Sequence, residues 1–276
     1  MTLGIGCTNN DPSLNATRLR ISLTDEPIGN EALRISELNV DIQKIEVSML
    51  DSIDNTESWT TLDYNGGAHN ILNLTNGKTK QIVDQYFQSG ILRRIKITFG
   101  DNTTVKTPKG NRTLVLDPSM REGFIATVNA NLYANYVSNI LVDINAALSI
   151  YEQNDNIFFR PVIRVFPETY GGSLKGYVLP PEANPYVVIT NEKDTLMSIP
   201  EAKDGLFLFR GLAEDKWDIY VFADPTTNYA DTIFSDSVYV SKTTELKSKI
   251  ILKEIDDNND GDTGGGDDGD NDNVED

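Results

Sequence analysis

A two-residue alternation of apolar and polar side chains, most regular between residues 139 and 166, is the feature that most limits what this chain can fold into. The apolar members are Ile140, Val142, Ile144, Ala146, Leu148 and Ile150, and then Ile157, Phe159, Pro161, Ile163 and Val165. Successive strand side chains point to opposite faces, so the pattern predicts two strands that each bury one face. The polar stretch 152–156 predicts a turn that closes them as an antiparallel hairpin. Pro161 has no amide donor, which predicts an edge position or a bulge for the return strand.

The segment 38–50 carries the same alternation with one change of phase. Its first apolar residues occupy even positions and its later ones occupy odd positions. A strand that keeps one face buried can change phase only by inserting an extra residue. We therefore predict a β-bulge near Gln43 and Lys44.

The remaining apolar segments up to residue 167 are short and bounded by turn residues. They predict strands at 17–24, 59–62, 70–74, 91–99, 103–106, 112–116 and 124–132. One segment differs, because Ile82, Val83, Tyr86 and Phe87 recur at helical spacing before Gly90. It predicts the only helix, a short one over 78–89.

The stretch 167–172, P-E-T-Y-G-G, interrupts the strands and predicts a domain boundary. About seven short segments with strand character follow within 168–253, a spacing typical of a β-sandwich. The predicted fold class is therefore all-β, with two β-sandwich domains in tandem at 16–167 and 168–253.

Charge is distributed unevenly along the chain. The formal net charge is −18, and residues 254–276 hold 11 of the 42 acidic residues and no basic residue. Nucleic acid is excluded as a predicted partner, because phosphate binding requires a basic face. The segment 254–276 is rich in Asp, Asn and Gly and is predicted to be a disordered acidic tail.

Within this tail, four oxygen-bearing side chains approach the spacing of a calcium-binding loop. They are Asp256, Asn258, Asp260 and Asp267, with Gly261 at the sixth position. The twelfth position is Asp instead of the longer Glu, and no amphipathic helix flanks the loop. Specific Ca²⁺ binding therefore remains one alternative, and weak, diffuse cation binding is the other.

The chain contains one cysteine, Cys7, which excludes an internal disulfide and a cysteine-based zinc site. Its context, L-G-I-G-C at 3–7, resembles the end of a bacterial lipoprotein signal, and the polar residues that follow resemble a tether. Residues 1–15 are interpreted as a signal remnant and tether, with Cys7 as the site of lipidation and membrane attachment. The alternative is an ordinary N-terminus with a chance cysteine.

The order of the segments in the first domain resembles a family of domains of unknown function in bacterial envelope lipoproteins. The resemblance covers about 16–167 and rests on L-T-D-E-P at 23–27, V-D-I-Q-K-I-E-V at 40–47 and R-P-V-I-R-V at 160–165. Asn145 is a departure, because the family commonly has a second acid there. The resemblance implies a fold and an outer-membrane lipoprotein of a Gram-negative bacterium, and it implies no catalytic residues.

The second domain resembles carboxypeptidase-regulatory-like, prealbumin-type modules. The resemblance rests on the G-x-F-x-F-x-G-L segment at 205–212 and the W-D-I-Y-V strand at 217–221. It implies a non-catalytic spacer or interaction domain.

Candidates for catalysis are few. His69 is the only imidazole and is predicted to be a loop residue without a nearby nucleophile motif. Asp117 and Asp143 are candidate carboxylates for glycosidic cleavage, with solvent-facing or turn-capping acids as the alternative. Neither pattern favours an enzyme.

Aromatic residues give one candidate binding surface. Tyr133 and Tyr136 lie in N-L-Y-A-N-Y and could contact a glycan, because sugar-binding β-sandwiches use exposed aromatic faces. Trp59 and Trp217 begin predicted strands and are assigned to the core.

These observations predict a non-catalytic, lipid-anchored envelope protein that acts in binding, adhesion or scaffolding. A surface glycan or another envelope protein would be its partner. The first alternative is a carbohydrate-binding accessory lipoprotein of a glycan-uptake system. The second is a two-carboxylate glycoside hydrolase.

Overall fold

The structure, a computed structural model, describes residues 15–25, 35–51, 53–146, 148–154 and 156–255. Within these ranges the predicted all-β class is confirmed, and the helical segments are 3-10 turns at Ile71–Leu74, Pro118–Met120 and Pro181–Ala183. The strands up to residue 167 are β1 (Ala16–Thr24), β2 (Glu37–Leu50), β3 (Glu57–Thr61), β4 (Gly67–Asn70), β5 (Lys80–Gln88), β6 (Gly90–Phe99), β7 (Thr104–Thr107), β8 (Gly110–Thr113), β9 (Val115–Leu116), β10 (Phe124–Leu132), β11 (Val137–Asn145), β12 (Ile150–Gln153), β13 (Asn156–Phe159) and β14 (Val162–Pro167). The later strands are β15 (Gly172–Leu179), β16 (Tyr186–Thr190), β17 (Thr195–Ser198), β18 (Leu206–Leu212), β19 (Asp215–Phe222), β20 (Thr232–Val238), β21 (Thr243–Glu245) and β22 (Ile250–Ile251).

Strands β1–β14 form three sheets, which we call the N-terminal sandwich. Sheet I has the order β14-β11-β1-β5, with β1 and β11 parallel and the other pairs antiparallel. Sheet II has the order β10-β6-β2-β7-β8, with β3 and β4 also paired to β2. The small sheet III is β12-β13-β9. Alternate residues of sheets I and II bury one continuous apolar cluster, which contains Leu19, Val47, Ile95 and Val142.

Strands β15–β22 form the C-terminal sandwich. Its sheets have the orders β18-β15-β21, with β22 also paired to β15, and β17-β16-β19-β20. A second apolar cluster lies between them and includes Trp217, which is 1% exposed. The prediction that Trp217 belongs to the core is confirmed.

The predicted bulge in the strand 38–50 is confirmed. The register between β2 and β6 shifts between Ile42 and Lys44. This extra residue lets Ile42 and Ile45 both face the cluster although one has an even and the other an odd number.

The predicted helix over 78–89 is wrong, because this segment forms β5. It pairs with β1, and the register shift between Ile21 and Ser22 leaves Ile82 as an extra residue on β5. The bulge places both Ile82 and Val83 against the apolar cluster, which produces adjacent apolar positions that imitate helical spacing. The predicted strand over 70–74 is also wrong, since Ile71–Leu74 is a 3-10 turn after β4.

The predicted hairpin over 139–166 forms antiparallel pairs, but it bends from one sheet into another. β11 pairs with β14 in sheet I, and the tip, β12 with β13, joins sheet III. Leu148 lies in the turn between β11 and β12 and is 62% exposed, so its predicted burial is wrong. Pro161 lies between β13 and β14, and β14 is the edge strand of sheet I, as predicted.

The two sandwiches contact each other through the turn that precedes β5. The Asn76 side chain donates to the carbonyl of Ile199 at 3.1 Å and accepts from the Ser198 hydroxyl at 3.1 Å. Gly77 has φ +81°, and a Cβ there would lie 2.5 Å from a Leu208 methyl group. A side chain at residue 77 would therefore be strained at this φ and would require the Leu208 side chain to move.

Candidate ligand-binding groove

An open groove of about 1220 Å³ lies where β1 and β11 begin and β5 ends. Its lining includes Arg18, Thr60, Tyr86, Phe87 and Tyr136. Asn15, Ala16, Gln88, Asn135 and Val137 complete the lining. The groove combines apolar rings with polar side chains, a combination typical of ligand-binding surfaces.

Cross-strand pairing on the outer face of sheet I explains why Arg18, Tyr86 and Val137 lie together. Arg18 on β1 is directly opposite Tyr86 on β5 and Val137 on β11. Side chains of directly opposed residues point to the same face, so the three form one row. Tyr86 is 76% exposed at the end of this row.

Asp84 holds Arg18 in a fixed orientation beside Tyr86. The Arg18 guanidinium donates to both carboxylate oxygens of Asp84, at 2.6 and 2.9 Å, and Arg20 donates to the same carboxylate at 3.3 Å. The hydrogen bond from Arg18 lowers the pKa of Asp84, and the same bond raises the pKa of Arg18. The groove therefore has a planar, charged side chain held in place by two parallel hydrogen bonds.

Tyr133 and Tyr136, the predicted glycan contacts, lie next to each other in the turn between β10 and β11. Their ring centroids are 6.3 Å apart with an interplanar angle of 68°, an edge-to-face arrangement. Both rings are exposed, by 62% and 69%. Asn135 has φ +63° between them, and its amide donates to the Ala16 carbonyl at 2.8 Å, which ties the turn to β1.

The structure thus brings Tyr136 into the groove and places Tyr133 beside it. The sequence interpretation missed Tyr86 and Arg18, because the segment 78–89 was assigned to a helix. The available signal was an exposed aromatic residue in a segment of β-branched residues, which fits an edge strand.

His69 lies away from this groove, and its assignment to a loop is wrong. It belongs to β4 and is 8% exposed. Its Nε2 is 2.8 Å from the Tyr64 hydroxyl, and its Nδ1 is buried without a hydrogen-bond partner among the described residues. Burial lowers the pKa of His69, and burial raises the pKa of Tyr64 to about 12.

Asp117 stabilises a turn. Its carboxylate accepts hydrogen bonds from the Ser119 amide at 2.9 Å, the Ser119 hydroxyl at 2.6 Å and the Tyr151 hydroxyl at 2.7 Å. The hydrogen bond from the Ser119 side chain is the largest cause that lowers the pKa of Asp117, followed by that from Tyr151. A carboxylate with these three donors caps the 3-10 turn that follows it.

Asp143 is buried on sheet I and forms an ion pair with Arg164, its cross-strand neighbour on β14. Asn145, the position where the related family commonly has a second acid, accepts a hydrogen bond from the Leu148 amide at 3.0 Å and so supports the turn to β12. The sequence interpretation missed Arg164 as the partner of Asp143, although the hairpin register was the available signal. Asp143 lies on β11 of sheet I, whereas Asp117 lies outside the strands, in the turn that follows β9.

Other predicted residues have mixed outcomes. Trp59 is 39% exposed on β3, so its assignment to the core is wrong; the Arg94 guanidinium lies 5.4 Å from the centre of its ring. Trp59 is exposed because β3 is a peripheral strand of sheet II.

Cys7 and the calcium-loop residues Asp256, Asn258, Asp260 and Asp267 lie outside the described residues.

The described part of the chain contains no group of three or more His, Cys, Asp or Glu side chains that could hold a metal ion. The same residues include no helix that is long and apolar enough to cross a membrane.

Sequence comparison identifies one related family. Residues 16–161, which are 146 of the 276 residues, match the family described as Domain of unknown function (DUF4382). A comparison with curated proteins gives no match.

Among solved structures, the chain is distantly similar to the following three proteins, two of which are pilins. It is 11% identical to the Bacillus anthracis TIE protein with a TM-score of 0.27, and the similarity covers 84% of this chain but 39% of that one. It is 10% identical to the shaft pilin SpaA of Lactobacillus rhamnosus GG with a TM-score of 0.25, and the similarity covers 87% of this chain and 98% of that one. It is 9% identical to BcpA, the major pilin subunit of Bacillus cereus, with a TM-score of 0.24, and the similarity covers 87% of this chain and 71% of that one.

Proposed function

The chain belongs to the DUF4382 family, and we propose that it is a non-catalytic, lipid-anchored cell-envelope protein that acts in binding, adhesion or scaffolding. The observation that supports this proposal most strongly is the groove at the start of β1, where exposed rings and a fixed Arg18–Asp84 pair line an open surface. Exposed aromatic and arginine side chains contribute most to binding surfaces in proteins.

The surroundings of the candidate catalytic groups support a binding role over hydrolysis. A glycoside hydrolase needs one carboxyl group with a raised pKa as the acid and one free carboxylate. Hydrogen-bond donors lower the pKa of Asp117, and Asp143 is paired with Arg164. Both acids have the surroundings of structural groups, since Asp117 caps a turn and Asp143 lies in an ion pair on β11.

The lipid anchor is proposed from the sequence around Cys7. An acyl chain on this cysteine would hold the protein at the outer membrane of a Gram-negative bacterium, with the two sandwiches exposed to partners. Mass spectrometry of the protein made in its native host would show diacylglycerol on Cys7. An unmodified Cys7 would contradict the anchor.

The C-terminal sandwich is proposed to be a carboxypeptidase-regulatory-like spacer or interaction module. Support comes from its own apolar cluster around Trp217 and from the Asn76 turn that joins it to the first sandwich. A spacer held in this way would present the groove at a constant orientation.

Carbohydrate binding is the second candidate function, and the tyrosines favour it. Tyr133, Tyr136 and Tyr86 place three exposed rings at one groove, and sugars bind to such rings through their apolar faces. The Arg18–Asp84 pair and neighbouring amides would supply hydrogen bonds to hydroxyl groups.

A glycan array tests the groove. We expect the full chain to bind a subset of glycans and the double variant Tyr86→Ala/Tyr136→Ala to lose at least about tenfold in affinity, which is about 1.4 kcal/mol. The matched control is Tyr170→Ala/Tyr239→Ala, which removes two tyrosines that are 55% and 51% exposed elsewhere. Equal loss in both double variants would refute a role for the groove. Binding of envelope proteins but of no glycan would favour the scaffold role.

A further inference from the structure

Sheet I ends at β5 with an open backbone edge. Among the described residues, β5 pairs with β1 on one side and with no strand on the other. Half of the amide and carbonyl groups of its nine residues therefore point away from the sheet. An open strand edge of this kind can hydrogen-bond to another extended chain.

Within the described ranges, sheet II has positions at this corner of the sandwich that no strand of sheet I covers. Thr60 on β3 is directly opposite Val47, and Ser58 is directly opposite Met49. Val47 and Met49 face the apolar cluster, so Thr60 and Ser58 point to the same interior side. Both are nevertheless exposed. Core-facing positions remain open when the facing sheet ends before it covers them.

The groove lies between these two edges. Thr60 lines it from β3, and Phe87 and Gln88 line it from β5. The amide of Asp63, just after β3, donates to the Gln85 side chain at 2.8 Å, which shows that the two edges are adjacent. A strand added to β5 would therefore cover Thr60.

The size and shape of this region suit an extended chain. Nine residues of β5 span about 30 Å at 3.3 Å per residue. The groove, at about 1220 Å³, is larger than most pockets for small molecules, which measure about 300–1,000 Å³.

Charge selects the occupant. Arg18 and Arg20 lie on β1 and Lys80 lies on β5, while the acids of this region are Asp84, which Arg18 and Arg20 share, and Asp63 after β3. The region therefore has one more basic than acidic side chain, in a chain of net charge −18.

From these observations we propose that the free edge of β5 and the groove beside β3 bind an extended, acidic peptide segment of a partner protein by strand addition. The inference rests on the proposed function, because the groove is the same binding surface, and it assigns the ligand as a polypeptide.

Strand addition can be tested within one molecule. A nine-residue strand of alternating Thr and Val with three Glu is added before Met1 of the full chain, so that residues 1–14 connect it to Asn15 at the groove. Fourteen residues span up to about 46–50 Å, which exceeds the length of β5. The tether makes the local concentration of the strand high, so that weak affinity does not hide the result. Control versions carry Lys in place of Glu, or two prolines in the acidic strand.

Hydrogen exchange of residues 80–88 is the readout. We expect the acidic strand to slow exchange by at least about tenfold relative to the proline control, and the Lys strand to slow it less. Equal exchange with the acidic and proline versions would overturn strand addition, and equal protection by the Glu and Lys versions would overturn the preference for acidic peptides.

Two tryptophan variants locate the bound strand. Thr60→Trp should remove the protection, because its ring would fill the space beside β5. Thr61→Trp should leave it, since Thr61 points to the opposite face of β3. Equal effects of the two variants would contradict binding between β3 and β5. If glycan binding is lost in Tyr86→Ala/Tyr136→Ala while residues 80–88 gain no protection, the binding groove stands and the peptide assignment fails.

Discussion

Replacing Asp117 by alanine removes the acceptor of three hydrogen bonds. The resulting change in stability tests whether Asp117 has a structural role instead of a catalytic one. The Ser119 amide and hydroxyl can reach water after the change, so each bond is worth less than one to a fully buried carboxylate. The bond from Tyr151 joins sheet III to the turn. With a helix cap worth about 1 kcal/mol and a further bond to a charged group worth about 1.5 kcal/mol, we expect Asp117→Ala to lower the free energy of unfolding by about 2–3 kcal/mol at pH 7.

The loss should depend on pH in a defined direction. Because the pKa of Asp117 is lowered in the folded protein, its contribution is complete above the unfolded pKa, about 3.9, and disappears as the pH falls through the folded value. The wild-type protein and Asp117→Ala should therefore differ most near pH 7 and converge below about pH 4.

Urea unfolding followed by circular dichroism at several pH values measures this difference. Asp218→Ala is the matched control, because Asp218 is an exposed acid on β19, and it should change stability by less than about 0.5 kcal/mol. A double-mutant cycle with Tyr151→Phe should show that the losses of the two single variants are not additive. A stability loss below about 0.5 kcal/mol, or one that is equal at pH 3 and pH 7, would refute the structural role of Asp117.

Three further predictions concern His69, Gly77 and the two tryptophans. Burial lowers the pKa of His69, so the contribution of His69 to stability is complete above its unfolded pKa of about 6.5 and is lost as the pH falls below that value. His69→Phe should therefore flatten the decrease in unfolding free energy between pH 8 and pH 5. An unchanged slope would contradict this prediction. Gly77→Val should cost about 1–2 kcal/mol and increase proteolysis of the segment 167–172, because φ is +81° and Leu208 is close; equal cleavage of both proteins would contradict it. Trp217→Ala should cost about 3–5 kcal/mol and Trp59→Ala less than about 1 kcal/mol in thermal or urea unfolding, since only Trp217 is fully buried; equal losses would be inconsistent with the structure.

The strands and buried faces of segments with alternating apolar residues could be predicted from the sequence. The phase change around Gln43 and Lys44 predicted the bulge, because a buried face imposes a strict period of two. The sandwich class followed from the same alternation repeated along the chain.

The β5 assignment failed for a physical reason. A bulge at Ile82 adds one residue, and adjacent apolar residues then resemble a helix face. Only the pairing with β1, which is distant in sequence, decides between strand and helix. The change of sheet between β11 and β12 is likewise set by tertiary packing, so the exposure of Leu148 could not be read from alternation.

The candidate site was predicted in part. Tyr133 and Tyr136 are close in sequence, and their exposure follows from the polar turn around them. Tyr86 and Arg18 join them only through the register between β1 and β5, which connects residues 68 positions apart. Sequence patterns within one segment contain no information about such a register.

Binding and hydrolysis measured side by side on the same polysaccharides and envelope proteins test the central claim most directly. The full chain is compared with Tyr86→Ala/Tyr136→Ala and with Asp117→Asn/Asp143→Asn, each confirmed as folded by circular dichroism. The account predicts that the tyrosine variant loses at least about tenfold in affinity, that the acid variant binds like the wild-type protein, and that no new reducing ends are released. Release of reducing ends by the wild-type protein that is abolished in the acid variant would contradict the account.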